Sequence, residues 1–247
     1  MNQGCKMDIL SLTTKKKKSK EKKEEPSTEE GTTEDKPSSS DSLKALLPLL
    51  LGDKVTSEEK EQVRVTGIWG TINEERCLEA VYSMLLLKNS GRTLVPADPE
   101  DPDSEILEYY KPFNFIISTF GGSAADMFAV YDTMRNVRDG CDIHTVGLGK
   151  VMSAGVLLLA AGTKGKRKIG PNCRIMIHGV ISGQHGHLHD VENEFEEAKI
   201  TQQSYIKALA AETNMTQAYL KKLIQRKTNV YIDAKEAIEL GIADEML

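Results

Sequence analysis

One serine hydroxyl stands in "GKVMSAGVLLLAAG" (Gly149–Gly162), just ahead of an almost wholly apolar run. A serine is a weak nucleophile until a base takes its proton, and alone at that position Ser153 reads as a helix N-cap. A base stands downstream, where His178 ends the apolar segment "CRIMIH" and is followed by the pliable "GVISG". Upstream, "STFGGSAADM" sets Gly121 and Gly122 between an apolar run and a helical pattern, and the amides of such a turn can hold an oxyanion. The amide of Ala154, beside Ser153, can do the same. Singly these are a cap, a strand-end histidine and a tight turn. Together they are a nucleophile, a base and two donors, the parts of an acyl-transfer site.

These parts can meet only if separate elements bring them to one place. "VRVTGIW" alternates as a strand does, and "NEERCLEAVYSMLLLKNSG" has helical apolar spacing with Asn73 as its N-cap. "FIIST" reads as a buried strand, "SAADMFAVYDTMRNV" as a helix, "CDIHTVGLG" as a strand and "SAGVLLLAAG" as a helix. "CRIMIH" is a further strand. The segment from about Asp190 to Ala211 predicts a long helix, "TQAYLKKLIQRK" another, and "AKEAIELG" a last one ended by Gly241. Strand alternating with helix predicts an α/β fold of parallel βαβ units. Parallel strands end on one edge, so Gly122, Ser153 and His178 are expected to converge there. The stretch from Arg92 to Asn114 holds four prolines and many acids and is expected to be an exposed loop.

The chain has 247 residues, a formal net charge of −5 and four scattered cysteines with no CxxC pair. This bounds it to one globular domain with an appendage, excludes a global basic field for nucleic acid, and suggests neither a disulfide framework nor a thiolate metal site. Residues from Thr13 to Ser42 alternate blocks of lysine and glutamate with almost nothing apolar, which predicts a disordered or processed extension. A transit peptide is poor in acids, and this tract is not. "SLKALLPLLLGDK" (Ser42–Lys54) adds a short apolar patch, too short to cross a bilayer. The division expected is an extension over residues 1–54 and a folded domain over residues 55–247.

The order of these motifs resembles that of the ClpP family, the proteolytic subunits of the Clp protease. There a "SPGG"-like turn, an "ASM-small" nucleophile segment leading into "FLLAAGTKGKR", and an "RIMIH" histidine segment follow one another. This chain has "STFGGS", "MSAGVLLLAAGTKGKRKIGPNCRIMIH" and a terminal "AKEAIELGIAD". The resemblance implies a crotonase-like spiral of ββα units with a protruding handle helix. Ser153 takes the nucleophile position, His178 that of the base, and Gly122 and Ala154 those of the oxyanion amides. It further implies peptide-bond hydrolysis in unfolded proteins, inside two stacked heptameric rings. A ring-shaped ATP-driven unfoldase of the ClpX, ClpA or ClpC class would feed them, in a bacterial or phage-infected cytoplasm rather than a plastid or mitochondrion. The chain has no GxxxxGK[ST] loop, so no cofactor and no ATP is expected in this subunit, nor a metal or a membrane partner. The Ser42–Lys54 patch occupies the place of the family's axial loops.

Several positions depart from the family. The orienting aspartate falls on Asn229, which can fix the imidazole tautomer but brings no charge; Cys-His-Asn enzymes manage with asparagine because their thiolate–imidazolium pair needs no further anion. Asp233 is a fallback acid that also reads as a helix cap. Lys150 replaces a small residue near Ser153, which raises a Ser–Lys dyad against a solvent-facing or substrate-facing lysine. Phe120 reshapes the approach to the site, and Gly179 replaces a proline. His185, His187 and His189 share one face of a stretch expected to be extended, as a metal site or as ring contacts in the seam before the handle helix. These departures keep open a weakly active or inactive subunit that assembles with an active one, and also a phage head-maturation protease of the same fold.

Overall fold

The computed structural model describes residues 63–247 apart from positions 102 and 227; the readings of the N-terminal tract and of Ser42–Lys54 lie outside the described residues. Strand β1 (Val65–Ile72) leads into helix α1 (Glu74–Ser90), whose Asn73 cap accepts the Arg76 amide at 3.1 Å. After strands β2 (Arg92–Pro96) and β3 (Ile106–Tyr110) come β4 (Phe113–Gly122) and α2 (Ala124–Arg138). Strand β5 (Ile143–Met152) turns directly into α3 (Ala154–Ala160). The chain then forms β6 (Lys168–Ile169), β7 (Arg174–Ile177), the 25-residue α4 (Leu188–Glu212), α5 (Gln217–Gln225), β8 (Val230–Ile232), α6 (Ala234–Glu239) and β9 (Glu245–Met246).

The main sheet runs β1-β4-β5-β6-β9 with each neighbouring pair parallel, as alternating strand and helix requires. Strand β5 is shared. Its Val146 and Gly147 pair with β6, and its Lys150–Met152 end pairs with β7. Between them Gly149 takes φ 63°, which lets the strand change partners. Strand β8 then returns antiparallel along β7. The mixed α/β architecture expected from the sequence is the one observed, and Gly241, at φ 71°, lies just past the last helix.

All seven residues of α3 are buried, with Leu157, Leu158 and Leu159 wholly covered. A helix apolar all round belongs inside, and each such leucine contributes roughly 1.5–3 kcal/mol by burial. Around it pack the inward faces of β4 and β5 and the apolar faces of α2 and α4. The element that begins at Ser153 is thus the middle of the core.

Two expectations are corrected. The stretch read as a loop is an antiparallel β2–β3 hairpin in register from Arg92↔Tyr110 to Pro96↔Ile106. The hairpin is exposed on both faces, so neither strand carries the one-sided alternation that announces a strand. The "GQHGHLHD" stretch is irregular up to His187, which stands at the N-cap position of α4 without a side-chain capping bond, and helical from Leu188. Its three histidines therefore share no strand face, and among the described residues no cluster of three metal-ligating side chains occurs.

Candidate active site

Two turns meet at Ser153. The first is the β5–α3 junction, where Ser153 itself adopts φ 54° and ψ −122°, a conformation a side chain rarely takes. It is the one non-glycine residue with positive φ among those described. Although it occupies the N-cap position, its hydroxyl makes no capping bond, so the plain reading of Ser153 as a cap is not what the backbone uses it for. Three contacts hold the strained residue: its amide donates to Met176 O at 2.7 Å, its carbonyl accepts the Val156 amide at 3.0 Å, and the same carbonyl accepts the Tyr205 hydroxyl at 3.1 Å.

The second turn is β4–α2. Gly121 stands at φ 102°, and a Cβ placed there would come within 2.6 Å of Ser153 Cβ and 3.1 Å of its Oγ. Glycine is therefore needed twice over, for the backbone and for the room. Thr119 Oγ1 pins the turn by accepting the Gly121 amide at 2.9 Å, and Ser123 caps α2 through the Asp126 amide. On the acyl-transfer reading of the sequence, a Gly121→Ala substitution is expected to displace Ser153 and to cut turnover about a hundredfold, the scale of loss for roughly 1 Å of misplacement at a reacting atom. Circular dichroism should be unaltered beside a fluorogenic peptide assay that shows the loss.

His178 follows β7 directly. Ser153 N bonds to Met176 O, so the end of β7 lies beside the serine, and Ser153 and His178 line one cavity of about 340 Å³ with Gly122 and Ala154. Phe120, Met127, Val180 and Ile181 give this cavity apolar walls. The β7–β8 ladder pairs Ile177 with Val230. The ladder ends there, with His178 and Asn229 the next residue on each chain.

Those two residues do not form a bond. His178 Nδ1 lies 2.5 Å from the carbonyl oxygen of its neighbour Gly179, and Asn229 is exposed. In the tautomer that carries hydrogen on Nδ1, the ring donates to Gly179 O and leaves Nε2 to accept a proton. The loop bearing that carbonyl is fixed by Gln202 of α4, whose Oε1 accepts the Val180 amide at 3.2 Å. Asp233 is engaged as the cap of α6, accepting the Glu236 amide at 2.9 Å. That bond first, with Arg174 nearby contributing less, holds its carboxyl below the ordinary aspartate range. Lys150 does not turn to the serine; its ammonium sits 4.5 Å from the centre of the Phe120 ring.

On the handle-helix reading Tyr205 and Ile206 are buried between rings, yet both lie in this chain's own core; Gln202 has no role in that reading. All three lie on α4, where Tyr205, Ile206 and Leu209 are buried. Their helical spacing marks a packed face, but nothing in that spacing says the face meets the Ser153 carbonyl. Burial pushes the Tyr205 hydroxyl far above its ordinary pKa, so it remains a donor at any working pH.

With this geometry in view, residues 92–247 match the family model described as Clp protease. The chain is 33% identical over 205 residues to ATP-dependent Clp protease proteolytic subunit 1 of Prochlorococcus marinus (strain MIT 9312), across 82% of this chain and 96% of that one. It is 32% identical, over the same shares, to the protein of that name from Prochlorococcus marinus subsp. pastoris.

Proposed function

Because the chain belongs to the Clp protease family, we propose that it is a serine-type endopeptidase subunit with Ser153 as nucleophile and His178 as general base. The observation that carries this reading is the strained Ser153 turn, whose uncapped hydroxyl opens on the cavity it shares with His178. Ser153 Oγ attacks the peptide carbonyl while His178 takes its proton. The Gly122 and Ala154 amides hold the oxyanion, His178 returns the proton to the leaving amine, and water releases the acyl-enzyme. No cofactor takes part in these steps.

The subunit works in stacked heptameric rings, homomeric or mixed with another ClpP, in a bacterial or phage-infected cytoplasm. An ATP-driven unfoldase of the ClpX, ClpA or ClpC class threads unfolded chains into them. What supports assembly is apolar surface that the chain's own core leaves uncovered. Leu188, Phe195 and Ile200 are exposed along α4, and Leu78, Tyr82 and Leu86 form an exposed stripe on α1. Among the described residues no helix is long and apolar enough to cross a membrane.

A second reading draws on the bond between His178 Nδ1 and Gly179 O and on the missing charge at Asn229. On it the chain is a weakly active subunit that shapes a mixed ring around an active paralogue. Labelling with a fluorophosphonate probe separates the two. The enzyme reading expects covalent labelling of the full-length protein, alone or in the mixed ring, and none of the Ser153→Ala variant. Equal hydrolysis by wild type and Ser153→Ala would reject Ser153 as nucleophile.

A further inference from the structure

The alternation of side chains along three paired strands gives the outer face of the site an order. Thr119 pairs with Val151 and both are buried, so Phe120 and Lys150 stand on the opposite face. Lys150 pairs with Arg174 and Met152 with Met176, and one more alternation along β7 reaches His178 on that same face. Lys150 is therefore a cation on the surface that carries the base, three residues or about 10 Å of strand before Ser153.

Its surroundings leave it incompletely partnered. Among the described residues Lys150 enters no ion pair. Its ammonium rests on the ring of Phe120, a residue 67% exposed that also lines the cavity. An ammonium has three N–H donors, and a ring face engages one side of it. The remaining donors point away from the ring. The neighbouring Arg174 is different, since Asp233 lies close enough to feel its charge. Phe120 therefore joins the apolar cavity to Lys150, touching both.

We propose that Lys150 is a specificity-determining residue, which favours substrates carrying an aspartate or glutamate within one or two positions of the cleaved bond. The inference rests on reading the cleft as one that accepts a peptide chain, and it deepens that reading by naming a substrate class. Phe120 holds the ammonium in place and separates the carboxylate's position from the apolar side chain that fills the cavity. Neither the nucleophile nor the base depends on Lys150, so selectivity can be read apart from chemistry.

The test uses the full-length assembled protein carrying Ser153→Ala, with fluorescein-labelled peptides that differ only in Asp, Asn or Lys beside an apolar residue. The Asp peptide is expected to bind about fivefold more tightly than the Asn peptide at low salt, as one partly exposed ion pair allows. That preference should fade in 1 M salt. Lys150→Arg should retain it, Lys150→Met abolish it, and Lys150→Glu invert it toward the Lys peptide. Equal binding of the Asp and Asn peptides, a preference that survives Lys150→Met, or no saturable binding of either peptide overturns the proposal. Acid-selective binding in a chain that hydrolyses nothing would reject the endopeptidase reading and leave this one standing; hydrolysis without acid preference does the reverse.

Discussion

An Asn229→Asp variant is expected to hydrolyse peptides faster than wild type, by up to about ten-thousand-fold if the new carboxylate engages His178 fully, since the reverse change costs that much in a serine-protease triad. The ladder ends at the Ile177–Val230 pair, and residues 178 and 229 are the next ones along the two chains. What wild type lacks there is charge. On the proposed mechanism His178 becomes an imidazolium as Ser153 gives up its proton, and an asparagine amide stabilises it far less than a carboxylate does. The wild-type ring donates instead to Gly179 O, a neutral acceptor, and the variant's carboxylate must win the Nδ1–H from it. The gain is read as kcat/KM on a fluorogenic peptide, and it should vanish in the Ser153→Ala background. A pH profile adds a signature that mere stabilisation would not give. An anion beside the imidazole favours its charged form, and catalysis needs the neutral one, so the acid limb of the profile moves to higher pH. Unchanged kcat/KM and an unmoved limb would mean that residue 229 does not orient His178.

How much of this was legible in the chain differs from residue to residue. Ser153 alone was ambiguous, because a serine before an apolar helix is a cap by default; the structure resolves it through a backbone angle of φ 54° that no residue count reports. The convergence of Gly122, Ser153 and His178 was legible, because parallel strands must end on one edge and each residue ends or follows a strand. Gly121 was seen as a turn former, but its contact with Ser153 Cβ joins turns 32 residues apart in sequence and has no local trace. The contacts of Tyr205 and Gln202 were hidden for a related reason, since a long helix presents many side chains and sequence spacing does not say which one meets Ser153 or the loop after His178. The hairpin from Arg92 to Tyr110 was missed because prolines and acids dominate it and both its faces meet solvent.

Loss of the Glu212 carboxylate is expected to destabilise the fold by about 3–5 kcal/mol, the usual result of leaving a buried charge without its partner. Glu212, 1% exposed, accepts from Arg138 Nη1 at 3.0 Å, Arg135 Nη1 at 2.8 Å and the Tyr131 hydroxyl at 3.0 Å. Arg138 is 18% exposed and donates also to the carbonyls of Ala161 and Gly162 at the end of α3. Arg167 reaches Ala160 O and Glu212 O from the other side. The cluster therefore ties the far ends of the two helices whose Ser153 and Tyr205 meet at the site. In Glu212→Ala the melting temperature should fall by roughly 10 °C, and an added Arg138→Met should restore part of it by removing the orphaned cation. Burial would raise the Glu212 pKa, but the bonds from Arg138 and Arg135 outweigh it and the net shift is downward. A depressed folded value means that the stabilisation is complete above the unfolded pKa of about 4.3 and is lost as pH falls through the folded one. Wild type and variant should thus differ fully at neutral pH and converge only as pH falls through that lower folded value. A melting difference that persists unchanged into acid would mean that the side chain's packing, not its charge, holds α2, α3 and α4 together.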